Sequence, residues 1–165
     1  MQAFNLLDEP WITVCFPDGS RGGVGIREAL LEAKKIRAIE NTSPLVVVAI
    51  HRLLLAVLYR ALSEEMPLSG EREDQILASG FPGNSLNGYF GKWSRRFYLF
   101  DDEFPFWQMP RLAGLFKDKD YFSWTVLAAE HNTKNTKVLF DHFDVNSGEP
   151  IPYAAAARWL AAAQT

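Results

Sequence analysis

A chain of 165 residues, 48% hydrophobic and 22% charged, has the size and composition of one globular domain and not of a disordered segment. A formal net charge of −3 excludes a broadly basic nucleic-acid coat, while leaving local basic patches open. The single cysteine, Cys15, excludes an internal disulfide and a cysteine-rich zinc site.

Taken in order, Phe4 to Leu7 is a short apolar start broken by Asp8-Glu9-Pro10. Trp11 to Phe16 is rich in β-formers, and Pro17-Asp18-Gly19-Ser20 is a turn in which proline presets φ and Asp-Gly tolerates positive φ. Arg21 to Ile26 returns as a second strand, weakened by Gly22, Gly23 and Gly25, so a small antiparallel hairpin is expected. Ile26 to Ile39 reads as an amphipathic helix with Ala29, Leu30, Ala33, Ile36 and Ile39 on its apolar face.

Residues 44–62 form the stretch around which the rest is organised. Thr42 and Ser43 offer an N-cap, Pro44 suits the first helical position, and the helix would run roughly 28 Å. Only His51, Arg52 and Arg60 interrupt the apolar run, with Arg52 and Arg60 on one face. Those polar residues at mid-helix argue for the central helix of a globular core and against a membrane span.

Beyond a loop at Ser63 to Ser69, a short acidic helix covers Glu71 to Ala78. Phe81-Pro82-Gly83-Asn84 is a turn. From Ser85 the stripe Leu86, Tyr89, Phe90, Trp93 and Phe97 is helical, with Lys92, Arg95 and Arg96 around it. Asp101-Asp102-Glu103 ends that element, and Pro105 to Pro110 is extended or turn-like. Trp93 and Trp107 are expected to be largely buried, anchoring the aromatic stretch on the central helix. Phe122 to Ala129 is a short apolar run, His131 to Lys137 a polar basic loop, and Tyr153 onward a final helix. That helix has no glycine or proline stop, which predicts that the chain continues beyond it. The fold expected is α+β, helix-rich, with a small N-terminal antiparallel hairpin packed around one long buried helix at about 44–62.

Catalytic signatures are sparse. No nucleophile elbow, H-E-x-x-H or phosphate-cradling glycine loop is present, and no cofactor is expected. Asp101, Asp102 and Glu103 have the chemistry of a divalent-metal site but are more often a solvated helix end. His131, Asp141 and His142 match no standard metal spacing. His51 reads as a core or interface histidine. The loop H-N-T-K-N-T-K is the most suggestive segment: Lys134, Asn135 and Lys137 suit phosphates and base edges, and Phe140 or Phe143 could stack on a base. A solvent-exposed turn is the plainer reading. No charged segment followed by an apolar one opens the chain, which predicts the cytoplasm.

Particular strings carry more. N-L-L-D-E-P-W-I (Asn5 to Ile12), the D-G turn, the I-R-E-A-L-L helix, Leu53-Leu54-Leu55-Ala56, W-S-R-R-F-Y-L-F-D (Trp93 to Asp101), P-F-W-Q (Pro105 to Gln108), N-T-K-V-L-F-D-H (Asn135 to His142) and A-A-A-R-W-L stand in an order that resembles the large subunit of the type I-E CRISPR surveillance complex, the CasA family of Cascade. The resemblance implies a prokaryotic, non-catalytic subunit of an RNA-guided antiviral complex. Its role would be to help recognise the motif flanking the target, to join the assembly and to recruit the helicase-nuclease. Implied partners are the guide-RNA-loaded backbone subunits, the 5′ handle of the CRISPR RNA, target double-stranded DNA and the helicase-nuclease, with no membrane. Residues 1–165 would be the front part of the N-terminal domain, without the C-terminal helical bundle. The family's glycine-rich loop would begin just past Thr165, and its glutamine wedge would lie further on. By position, Asn135 and Phe140 correspond to an asparagine and a phenylalanine on a family loop near the 5′ handle. Two rival readings stay open: a metal-dependent nuclease or hydrolase using the acidic and histidine residues above, and a generic helical protein-interaction domain.

Overall fold

The computed structural model describes residues 4–65, 67–112, 115, 124–127 and 150–164. Strand β1 (Ile12–Cys15) pairs antiparallel with β2 (Arg21–Val24), Ile12 opposite Val24 and Cys15 opposite Arg21. The turn between them closes as its residues require: Gly19 takes φ +84°, and the Asp18 carboxylate accepts from the Ser20 amide at 2.9 Å.

Helix α1 is shorter than its periodicity predicts. It spans Ile26–Leu31 and stops when the Glu32 amide bonds to the Glu28 carbonyl; a 3₁₀ turn follows at Ala33–Lys35. Ala38–Ile39 then forms β3 on the other side of β1, giving a three-stranded sheet in the order β2-β1-β3. The Arg37 amide bonds to the Cys15 carbonyl and the Glu40 amide to the Thr13 carbonyl, each at 2.9 Å. The edge of β1 thus competes with helix for Ile36 to Ile39. It wins because isoleucine is a good strand former and unpaired backbone beside the core is costly.

Helix α2 (Pro44–Ala61) lies where the apolar run places it, with proline at its first turn. Ser43 is the N-cap by backbone position, yet its buried hydroxyl finds no partner among the described residues; the Asn41 side chain instead accepts from the Ser43 amide at 2.9 Å. Val46, Ala49, Ile50, Leu53, Leu54 and Val57 are its buried face. Each valine, leucine and isoleucine among them contributes about 1.5–3 kcal/mol when removed from water. The opposite face is open: Leu45, Val48, Leu55 and Tyr59 are exposed, together with His51, Arg52 and Arg60. Among the described residues α2 is the one helix long and apolar enough to cross a bilayer, but its inner face packs on α4 and α5, the arrangement of a core helix.

Helix α3 (Gly70–Ser79) starts where the Ser69 hydroxyl accepts from the Arg72 amide at 3.2 Å and ends at Gly80 with φ +92°. Helix α4 (Gly83–Trp93) begins two residues before the predicted start and runs into a 3₁₀ turn at Ser94–Phe97. Its stripe divides as the period dictates: Leu86, Phe90 and Phe97 are buried, while Tyr89 and Trp93 are half-buried against them. Part of the 122–129 run, Trp124–Leu127, forms a 3₁₀ turn against α5.

Helix α5 (Tyr153–Ala163) closes the core through Ala157, Ala161 and Ala162 against α2; small side chains there let the two helices approach closely. Arg158 reaches across to donate to the Trp11 carbonyl at 2.8 Å, and burial pushes its guanidinium below the ordinary arginine value. Residues far apart in sequence are thereby tied across the sheet. The N-terminal segment is held in the same way: Leu6 N–H donates to Phe97 O, Leu99 N–H to Phe4 O, and the Trp11 indole to Leu6 O, all at 2.9 Å.

Candidate nucleic-acid interface

Lys134, Asn135, Lys137 and Phe140 lie outside the described residues, as do His131, Asp141, His142 and Phe143. Among the described residues the chemistry gathers instead along the aromatic stretch from Tyr89 to Gln108. That stretch is fixed to the core by two bonds: Phe106 N–H donates to Tyr98 O at 2.8 Å, and the Gln108 side-chain Nε2 donates to Leu99 O at 2.6 Å. Phe97 stacks on Phe106 at 5.8 Å between ring centroids, and Phe106 packs against Trp107 at 4.6 Å.

A hollow of about 460 Å³ opens between α2, the end of α4 and the 103–108 segment, with Tyr89, Trp93, Phe104 and Trp107 among its walls. A second of about 390 Å³ shares Tyr89 and Trp93 and adds Arg60, Lys92, Asn84 and Glu64. Arg96 lies 3.6 Å from the Phe104 ring centroid, and Lys92 lies 5.6 Å from that of Trp93. Burial raises the Tyr89 phenol above its ordinary value, with the nearby Arg60 charge pulling the other way.

Trp107 corrects an expectation. It is 42% exposed, not buried, and its backbone sits at φ +53°, where a bulky residue is uncommon. The burial expected of it is supplied by its neighbour Phe106. Trp93 is half-buried. Alternation alone points to either aromatic of the Phe106-Trp107 pair, and the main-chain bond of Phe106 to Tyr98 decides which one turns inward.

The acidic triplet has a structural use. Asp101 accepts from the Phe104 amide at 2.7 Å and the Glu103 amide at 2.8 Å, and pairs with Arg95 at 3.3 Å. Those amides first, and Arg95 after them, hold its carboxyl below the ordinary aspartate range. Glu103 also pairs with Arg95, at 3.0 Å. Among the described residues, no three histidine, cysteine or carboxylate side chains come together as a metal site. His51 is exposed on α2, its ring nitrogen 2.8 Å from the Val47 carbonyl.

The fold defines a class first: a helix-dominated α+β domain whose three-stranded antiparallel sheet and central apolar helix share one core. The family model for CRISPR-associated protein Cse1 matches residues 5–165. CRISPR-associated protein CasA/Cse1 of Thermus thermophilus is 40% identical over 165 residues, covering 97% of this chain and 31% of that protein. The chain belongs to the CRISPR-associated Cse1 family. The structure of Thermus thermophilus CasA (Cse1) superposes with a TM-score of 0.77 at 36% identity, covering 99% of this chain and 31% of that one. A Cse1 structure from Acidimicrobium ferrooxidans gives 0.74 at 27% identity, over 98% of this chain and 28% of that one. A chain of a CRISPR RNA-guided surveillance complex in a pre-nicking state shares the fold, with a TM-score of 0.79 at 24% identity over 99% of this chain and 34% of that one. The chain therefore spans about a third of the length of these relatives.

Proposed function

We propose that this chain is the front part of the N-terminal domain of the large subunit of an RNA-guided CRISPR surveillance complex, a non-catalytic component working in the cytoplasm. Its partners are the guide-RNA-loaded backbone subunits, the 5′ handle of the guide, target duplex DNA with its flanking motif, and the helicase-nuclease that the complex recruits. The observation that carries this reading is membership of the Cse1 family over residues 5–165. The likeness in fold to a chain within a surveillance complex adds support.

Within that role, Lys134, Asn135, Lys137 and Phe140 are the proposed contacts to nucleic acid or to the subunit holding the 5′ handle. The test is target-DNA affinity of reconstituted complex at several salt concentrations, with Lys134, Asn135 and Lys137 changed together to alanine in the full-length subunit. Loss of two lysine–phosphate contacts lowers the log–log salt slope by up to about 2 on duplex DNA. Unchanged affinity and slope, with assembly intact, would remove the loop from the interface.

A further inference from the structure

The two hollows share Tyr89 and Trp93 in their walls and together form a furrow in which Arg60, Lys92 and Arg96 stand against Glu64, Glu65 and Glu103, a balance where the whole chain is −3. Two of those carboxylates are already engaged by arginines outside the furrow: Glu103 shares Arg95 with Asp101, at 3.0 Å, and Glu65 pairs with Arg72 at 2.8 Å while also accepting from the Ser85 hydroxyl. Glu64, exposed on the rim, is the counter-charge left over. Against it stand Arg60, Lys92 and Arg96, for which the described residues provide no carboxylate within ion-pair distance. Arg96 and Lys92 rest on aromatic rings, which orient a cation without neutralising it.

Trp107 is the second observation. A bulky residue held at positive φ is strained, a cost usually offset by packing. Here the indole is 42% exposed at the mouth of the aromatic hollow, beside Phe106, so burial is a small return for the strain. At about 460 Å³ the hollow falls within the size range of small-ligand sites.

We propose that this furrow binds a single strand of nucleic acid, one unpaired base entering the aromatic hollow beside Trp107 while Arg96, Lys92 and Arg60 meet the phosphates that follow. Aromatic platforms flanked by cations bind single strands because every base has a π-face and every nucleotide a negative charge. An aromatic side chain of a partner protein would fill the hollow equally well, but it would leave the cations in excess of Glu64 unanswered. Charge complementarity therefore selects the strand. The assignment rests on the surveillance-complex reading for its biological setting, and it adds a contact separate from the 134–140 loop.

The experiment is fluorescence anisotropy with the 165-residue chain at low salt, using a labelled oligothymidylate and an abasic oligonucleotide of the same length. Wild type binds the oligothymidylate more tightly than the abasic strand. Trp107→Ala loses roughly tenfold on the oligothymidylate, the worth of one stacked base, and nothing on the abasic strand. Trp107→Gly is the second variant: glycine accepts positive φ without penalty, so it stays folded even if the alanine variant does not. Lys92→Gln with Arg96→Gln weakens both strands and lowers the log–log salt slope by about 1.4, the loss of two phosphate contacts on a single strand.

Equal affinity of wild type for the two oligonucleotides, or of wild type and Trp107→Gly for the oligothymidylate, would overturn the proposal. So would a Trp107→Gly chain that binds strands normally but no longer joins guide-loaded complex, since the occupant would then be protein. A chain that assembles normally but ignores oligonucleotides refutes the furrow alone. One that binds them as described but never assembles refutes the functional reading and leaves the furrow standing.

Discussion

Gly25→Ala tests the way the N-terminal segment, the sheet and α1 are joined. The backbone of Gly25 is extended, with φ −85° and ψ 173°, so an alanine meets no torsional objection there. Space is the objection. A methyl at this position would run into the Leu7 carbonyl and crowd the Asp8 carbonyl carbon at 3.0 Å. Those main-chain atoms cannot easily retreat, because Leu6 O accepts from the Ile26 amide and Leu7 O from the Arg27 amide, each at 3.0 Å. Moving the segment far enough to admit a methyl breaks both bonds, at about 1 kcal/mol each, on top of about 1–3 kcal/mol for overpacking. The sum, about 3–5 kcal/mol, is a large part of the ~5–15 kcal/mol that holds a domain of this kind. Urea denaturation followed by circular dichroism should show the unfolding free energy lowered by that amount, read as a lower midpoint at an unchanged slope. Gly19→Ala is the control: nothing lies within 4 Å of its added methyl, and only its φ of +84° objects, at about 1 kcal/mol. A Gly25→Ala chain within about 0.5 kcal/mol of wild type would refute the close approach.

Leu54→Asp should unfold the chain or cost several kcal/mol, because it places a carboxylate among Leu30, Leu58 and Phe81 on the buried face of α2; a cooperative wild-type melt would contradict this. Arg158→Met keeps the side-chain bulk but removes the donor to the Trp11 carbonyl, and should cost about 1–2 kcal/mol in the same urea titration. The lowered Asp101 carboxyl has a definite sign. The stability it adds is fully present above the ordinary aspartate value of ~3.9 and is lost as pH falls through the lower folded value. Asp101→Asn should therefore flatten the acid limb of the stability–pH curve below pH ~4 and leave its shape near neutrality unchanged; an unaltered acid limb would show that the amide contacts are not made. Iodide should quench Trp107 and spare the buried Trp11, so Trp107→Phe should lower the accessible fraction, with half-buried Trp93, Trp124 and Trp159 supplying the remainder.

How far the sequence could be read follows from which forces act locally. The run of apolar residues at 44–62, with a proline at its start, specifies α2 through periodicity alone, and the structure reproduces it to within a residue. The Asp18-Gly19 turn is equally local. Strand β3 is not: Ile36 and Ile39 fit a helical stripe, and only the free edge of β1, where Val14 pairs with Ile39 and Cys15 with Ala38, draws Ala38 and Ile39 into a strand. Gly25 shows the same limit. In sequence it is one of several glycines weakening a strand; in the fold it is the point where two backbones touch. The outer face of α2 is apolar in composition yet open among the described residues, which composition cannot foretell because it counts residues without sides. At the site, the aromatic and basic richness of residues 89–108 was visible as a stripe with Lys92, Arg95 and Arg96 around it. Which cations are neutralised was not, because it depends on Arg95 folding back onto Asp101 and Glu103. The acidic triplet reads in sequence as the end of the aromatic helix, but the helical turn already stops at Phe97, and Asp101 instead closes a later turn by binding the Glu103 and Phe104 amides.

The most direct test of the functional account is assembly. Guide-loaded backbone complex lacking its large subunit is mixed with this chain and resolved by size-exclusion chromatography, with the full-length family subunit run alongside. The account predicts that the chain co-elutes with the guide-loaded complex and competes with the full-length subunit for it. A chain that melts cooperatively, yet elutes alone at concentrations where the full-length subunit is fully bound, would contradict it.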